Sequence, residues 1–397
     1  MSRERSLGEG LEDGGPCQAF LGRCGLSRGG EDDLRRQALA FIAVGWLPLV
    51  LFAGLDALWL GRYPGFATDL SVHARVLVAV PLLLAHERAV NRASGLAVRR
   101  FVTGAIVVDV ERFAGIVRGA NRVRGARLPE LALLVVAVVS SQFLVWGGAT
   151  GVGDVPAPGG ERLTATAVWY SVVSLPSFQF LLGRAVWRWC IWSWVLWRIS
   201  RLRLSLIPTD PDLAGGIAFV DNASAALGLA AMAASTVVAA TWGDRILAVQ
   251  DLRVAAFVTP FLSFVLLVEA VALAPLLFFF GHCFRARWRG LREYGELARR
   301  YTRAFHERWV EPEATTAQPP GKLLGTADIQ SLADLANSLS IIERMRPIPV
   351  GPRVIGLLAV CTTIPMIPLI ATEGSVVELV SLLGRSLLGG SAEALKP

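Results

Sequence analysis

Seven apolar runs, each about as long as the ~20 residues a helix needs to cross a bilayer, are separated by stretches dense in arginine. No water-soluble core absorbs that many uninterrupted apolar segments, so the chain reads as an all-α, polytopic transmembrane bundle. The runs fall at about 38–60, 74–90, 128–149, 168–197, 216–241, 255–281 and 354–371. A further apolar segment at 375–390 is too short to cross. The mean hydropathy of +0.51, with only 18% charged residues, excludes an ordinary soluble enzyme, which carries about 25% charge.

The basic residues set the expected orientation. All but Lys322 and Lys396 of the 39 basic residues are arginine, and they are distributed unevenly. The linkers 61–73, 147–167 and 242–254 hold four arginines in total, whereas 88–127 holds nine and 282–353 holds eleven plus Lys322. Positive loops stay cytoplasmic, so the amino terminus is expected inside the plasma (inner) membrane of a bacterium, and an odd number of crossings places the carboxyl terminus outside. A net charge of +7 is accounted for by this topology, and nucleic acid is not expected as a partner.

Four regions follow: a Gly-rich, mixed-charge leader 1–36 expected to be disordered, spans one to six at 37–281 with a basic linker 91–127, a cytoplasmic helical region 282–352, and a proline-broken last span with the short apolar segment at 353–390. The leader holds no apolar core like that of a cleavable signal, so the first span is expected to act as its own insertion signal. Cytoplasmic amphipathic helices are expected at 101–118, 282–310 and about 326–345. In the second, Phe284, Trp288, Leu291, Ala298, Phe305 and Trp309 recur at three-and-four spacing. That stripe suits either a cytosolic protein partner or the chain's own neighbouring helices. No strong breaker separates span six from it, so one continuous helix is expected.

Ionisable residues inside spans carry the functional expectation, because a charge in hydrocarbon needs a partner, a proton or water. Glu269 near the middle of span six and Arg184 at similar depth in span four are candidates to neutralise one another, with Arg188 one turn further inward. Such a pair serves an ion or proton pathway, or fixes helix register. Asp56, His86 and Glu87 lie near span ends and are read as solvated. Ser140, Ser141 and Gln142 in span three suit interhelical hydrogen bonds. Span seven contains Thr362, Thr363, Pro365 and Pro368, a candidate broken helix lining a pore. Five of the twelve tryptophans fall between Trp187 and Trp197, beside Arg198, Arg201 and Arg203, and read as an interfacial aromatic belt. Ala226, Ala230 and Ala234 in span five repeat every fourth residue, which favours close helix contact in the bundle or in a homo-oligomer.

The loop Pro208–Phe219 is the most motif-like stretch. Asp210 and Asp212 suit either capping of span five or a cation or partner site, and Gly215 with Gly216 permits close backbone approach. This loop, PTDPDLAGG, together with DLSVHARVLVAVPLLLAHE (Asp69–Glu87) and MRPIPVGPRVI before the broken span, resembles a family of uncharacterised bacterial multi-pass inner-membrane proteins over about residues 36–390. Members similar to it show His-Pro-Asp-Arg where this chain has Asp210, Pro211, Asp212 and Leu213. The resemblance implies a shared membrane fold and no activity.

Catalytic patterns are missing. His86-Glu87 and His306-Glu307 start a zinc-protease motif, but Val90 and Val310 stand where its second histidine belongs. No phosphate loop, nucleophile elbow or span lysine is present, and no metal or cofactor site is expected. The favoured reading is therefore an ion channel or transporter, oligomeric, using the Glu269–Arg184 route and the Thr362–Pro368 break. The alternative is a signalling or scaffold protein recruiting a cytosolic partner through 282–353.

Overall fold

In the computed structural model, residues 15–27, 30, 32–60, 69–146, 164–248, 254–310 and 327–371 are described. The apolar segment 375–390, the loop 151–161 and Lys322 lie outside them. The described residues form helices and no strand, with one isolated bridge between Val107 and Leu204. A short helix α1 (Gly15–Arg23) lies within the leader, where disorder is expected. Seven helices are long and apolar enough to span a membrane: α2 (Asp33–Trp59), α3 (Leu70–Thr103), α5 (Arg127–Val145), α6 (Ala165–Ile199), α7 (Ala218–Ala248), α8 (Val258–Trp309) and α10 (Pro352–Leu369). Two shorter helices, α4 (Val110–Arg124) and α9 (Ala327–Arg344), complete the set.

The helices differ in length for a physical reason. At 1.5 Å per residue, about 20 residues cross the hydrocarbon, yet α3 has 34, α6 has 35 and α8 has 52. Their surplus extends on the arginine-rich face and carries a second hydrophobic core outside the bundle. Phe101 is its hub, with ring centroids 5.9 Å from Phe113 of α4, 5.1 Å from Phe219 and 6.5 Å from Phe279 of α8. Trp189 and Trp192 are buried in this core, so only part of the tryptophan cluster faces outward as a belt. Trp194 and Trp197 do so, each stacked under a guanidinium, of Arg198 at 5.6 Å and Arg201 at 5.2 Å.

The helix expected over 101–118 is interrupted. α3 ends at Thr103, the chain turns through Gly104 and Ala105 (φ +49°), and α4 starts at Val110 with the Asp109 side chain accepting from Arg112 N–H at 3.0 Å. Ile106 and Val107 instead pack into the extramembrane core, where Ser205 N–H donates to the Ile106 carbonyl at 2.8 Å. Local periodicity was outweighed by this tertiary pairing.

The continuous helix expected from span six is present as α8, tightened to a 3-10 turn at Ala274–Phe279 around Pro275. α9 packs antiparallel along its distal part. Tyr301 Oη donates to the Asp328 carbonyl at 3.0 Å, and the Asp328 carboxylate accepts from Trp309 Nε1 at 3.1 Å and pairs with Arg308 at 3.2 Å. The distal part of the apolar stripe on α8 is thus covered by the chain's own helix. Span seven, expected to be broken at its prolines, runs on as one helix tightened to a 3-10 turn over Ile364–Met366 around Pro365. α7 sits at the centre against α3 and α10, as its small residues imply.

Candidate functional site

Helices α3 and α6 are built alike from their first residues onward. Asp69 caps α3, accepting from Val72 N–H at 3.2 Å, and Thr164 caps α6, accepting from Ala167 N–H at 3.2 Å. One α turn follows in each, then a π segment, Ala74–Ala79 in α3 and Tyr170–Ser174 in α6. A proline then opens the straight part, Pro81 or Pro176, at the same distance along the chain from its cap. The proline explains the π turn: it has no N–H to give and its ring crowds the carbonyl four residues back. The chain widens instead, so that Val80 N–H reaches the Arg75 carbonyl and Leu175 N–H the Tyr170 carbonyl.

The twin positions Arg75 and Tyr170 meet, with the Arg75 guanidinium donating to the Tyr170 hydroxyl oxygen. Carboxylates from neighbouring helices cap both helix starts a second time. Asp244 of α7 accepts from Leu70 N–H (2.9 Å) and Ser71 N–H (3.0 Å), and Asp56 of α2 accepts from Thr166 Oγ1 at 2.6 Å. Asp56 is therefore engaged rather than merely solvated.

The opposite end of the α3–α6 contact holds a cluster of buried charges. Arg184 of α6, 2% exposed, donates through Nη2 to Glu87 Oε1 of α3 at 2.7 Å and through Nη1 to Glu130 Oε1 of α5 at 2.5 Å. Arg188 donates to the same Glu87 oxygen and to Asn91 Oδ1, each at 2.5 Å. Arg124 of α4 donates to Asn91 Oδ1 as well. Glu130 Oε2 accepts from Cys17 N–H of α1 at 2.8 Å. Three guanidiniums thus face two carboxylates, joining five helices. Cys17 itself lies outside the spans, and burial pushes its thiol up to about 11.

The position of this cluster corrects several expectations. With the ~30 Å hydrocarbon layer counted from the helix starts at Leu70 and Ala165, Glu87 lies roughly 26 Å along α3 and Arg184 roughly 29 Å along α6, nearer the arginine-rich edge than the middle. Arg184 neutralises Glu87 and Glu130, and Glu269 is not part of the pair. Glu269, half-buried in α8, has no hydrogen-bond or ion-pair partner among the described residues. Glu87 and His86, read as solvated ends, are 5% and 1% exposed. His86 lies against α7, its Nδ1 donating to the Ala226 carbonyl at 2.9 Å. Between the two polar ends, Ala79, Leu83, Leu175 and Leu181 fill the α3–α6 interface and are buried.

Other candidates sit elsewhere. Ser140 and Ser141 both donate to Gln179 Oε1 of α6 (2.8 and 2.9 Å), and Gln142 Nε2 donates to the Ser171 carbonyl at 2.9 Å, the interhelical role their sequence implies. Thr362 and Thr363 turn their hydroxyls back onto α10, donating to carbonyls of Leu358 and Ala359. Ser235 of α7 donates to the Thr362 carbonyl, just before the 3-10 turn at Pro365, at 2.5 Å. Pro365 and Pro368 line a groove of about 520 Å³ shared with α3 and α7.

The Pro208–Phe219 loop is a junction. Asp212 carboxylate oxygens accept from the N–H groups of Ala214, Gly216 and Ala218 at 2.7, 3.0 and 2.9 Å, capping the start of α7. Asp210 accepts from Asp212 N–H at 3.0 Å, and partial burial holds its carboxyl above the usual range. Leu213, Gly215 and Gly216 all have positive φ (+58°, +72° and +93°), which curls the backbone around Asp212. The strap after α9 is tied to this curl, Arg346 N–H donating to the Leu213 carbonyl at 2.8 Å and Arg346 Nη2 to the Asp212 carbonyl at 3.0 Å. Gly290 of α8 passes so close that a Cβ there would meet Pro208 Cβ at 2.6 Å.

No group of three His, Cys, Asp or Glu close enough to hold a metal occurs among the described residues. Comparison with family models, curated proteins and solved structures returns no match, so the functional reading rests on the chain's own geometry.

Proposed function

We propose that this membrane protein is a bacterial inner-membrane ion or proton transporter, working as a homo-oligomer, with its arginine-rich face cytoplasmic. The route we assign runs along the α3–α6 interface. One observation carries the reading: two polar stations, Arg75–Tyr170 and the Glu87–Arg184–Arg188 group with Glu130 of α5 beside it, lie at the two ends of the α3–α6 contact and are separated by a buried apolar stretch. Buried ionisable groups within spans are by default candidates for an ion or proton route. Proton arrival at Glu87, or an anion drawn to Arg188, would weaken the ion pairs that hold α3 against α6, and the π segments give both helices a place to yield.

The test is flux into liposomes containing purified protein, with pH, cation and anion gradients varied in turn. Wild type is expected to pass one ion class above leak. Tyr170→Phe is expected to reduce that flux severalfold, and Glu87→Gln to change its pH dependence. Glu269→Gln is expected to have the smaller effect, since Glu269 is not joined to the cluster. Leak-level flux from wild type under every gradient would sink the transport reading.

A second reading is favoured by a different observation. Arg292, Arg299 and Arg303 are exposed on the part of α8 that runs past Gly290. A signalling or scaffold protein would present them, within 282–353, to an acidic cytosolic partner. Flux at leak level together with a partner lost on Arg299→Gln/Arg303→Gln would select this reading.

A further inference from the structure

A groove of about 640 Å³ opens between α3, α7 and α10 on the arginine-rich side, away from the α6 face of α3 that holds the buried charges. Its walls are apolar, including Ala93 and Leu96 of α3, Leu229 of α7, and Leu357 and Cys361 of α10. Two guanidiniums on the same face of α3 edge it, Arg92 and Arg100, both exposed. The Arg92 side chain has no hydrogen-bond or ion-pair partner among the described residues, and that of Arg100 has only the Phe219 ring beneath it, at 5.7 Å.

Arg92 lies roughly 33 Å along α3 from Leu70, just past a ~30 Å hydrocarbon layer and therefore at headgroup depth. Several other arginines on this face are held by the protein itself. Arg198 and Arg201 stack on tryptophans, Arg287 donates to the Glu343 carbonyl at 2.8 Å, and Arg346 ties the loop. An apolar bed beside two guanidiniums that no carboxylate answers among the described residues is complementary to an anionic lipid. We infer that the groove holds an anionic phospholipid, with an acyl chain lying against Leu229 and Leu357 and the phosphate at Arg92, on the side that faces Arg100.

Native mass spectrometry of the full chain in detergent, supplied with equal phosphatidylglycerol and phosphatidylcholine, tests this. Wild type is expected to retain phosphatidylglycerol preferentially. The double variant Arg92→Gln/Arg100→Gln should weaken that retention about thirtyfold, as expected for losing two guanidiniums at a membrane surface. Leu357→Trp fills the bed at an exposed position without changing charge, and should weaken retention severalfold. Arg299→Gln/Arg303→Gln removes the same charge from distal α8 and should leave retention unchanged. Equal retention of the two lipids, or full retention by the arginine double variant, would overturn the proposal. So would inorganic phosphate displacing the lipid from wild type while Leu357→Trp has no effect, an outcome that assigns the arginines to free phosphate.

Discussion

The two ends of the α3–α6 pair use carboxylates in opposite ways. At the outer end by the proposed orientation, Asp56 and Asp244 each accept from backbone or hydroxyl donors at a helix start, half-exposed and close to water. At the other end, Glu87 and Glu130 are enclosed and answered by guanidiniums from a neighbouring helix. A cap tolerates loss because water replaces it. A buried carboxylate has no such substitute, so its arginine must be there whenever the bundle is assembled. The outer end therefore sets where helices start, and the inner end sets which helices may lie together.

The sharpest way to break this comparison is Arg184→Leu, which leaves Glu87 with one guanidinium fewer and Glu130 with none. A loss of about 3–5 kcal/mol is expected, read as a large drop in detergent unfolding temperature. Adding Glu87→Leu should recover part of it, because the variants share one network. Tyr170→Phe removes the acceptor of the Arg75 guanidinium at the other end, and about 1.5–3 kcal/mol is expected for a hydrogen bond to a charged group. Asp244→Ala should be milder, about 1 kcal/mol, as for the loss of a helix cap. If Asp244→Ala destabilised as much as Arg184→Leu by the same assay, the distinction between the two ends would fail.

The smallest effect concerns Cys17, whose amide ties α1 to Glu130. Burial raises its thiol from 9.0 to about 11, so the folded chain keeps the proton that the unfolded chain releases above pH 9. Stability from this group is present below pH 9 and declines as pH rises from 9 to 11. Maleimide labelling of Cys17, in a chain with Cys24→Ser and Cys190→Ser, should accelerate about tenfold per pH unit between 8 and 10.

The spans were legible because twenty apolar residues in a row have few other fates, and the 3-10 turn in span seven was legible because Pro365 has no N–H to give to the α ladder. The surplus lengths of α3 and α6 were not. Val98, Phe101, Ile191 and Val195 are apolar like a span but belong to the extramembrane core, and composition does not separate the two environments. The charge cluster was half legible. Arg184 and Arg188 stood out inside an apolar run, but Glu130, the third residue of the run at 128–149, is so near Arg127 and the span's end that it drew no separate reading. Glu87 next to Arg88 reads as a solvated end. Which carboxylate meets which arginine depends on helix rotation and crossing, and neither is written in the spacing of one segment. The matched caps and prolines of α3 and α6 were present in the sequence but are too sparse to align without the π turns between them.

Each of those π turns lodges one residue more than an α-helix would hold over the same rise. Pro81 and Pro176 hold that spare residue in place, because returning to the α ladder there would ask for an N–H that proline lacks. In α3 it sits upstream of Glu87, and without it every later position would be swivelled by about 100° around the axis, which would aim the carboxylate away from Arg184.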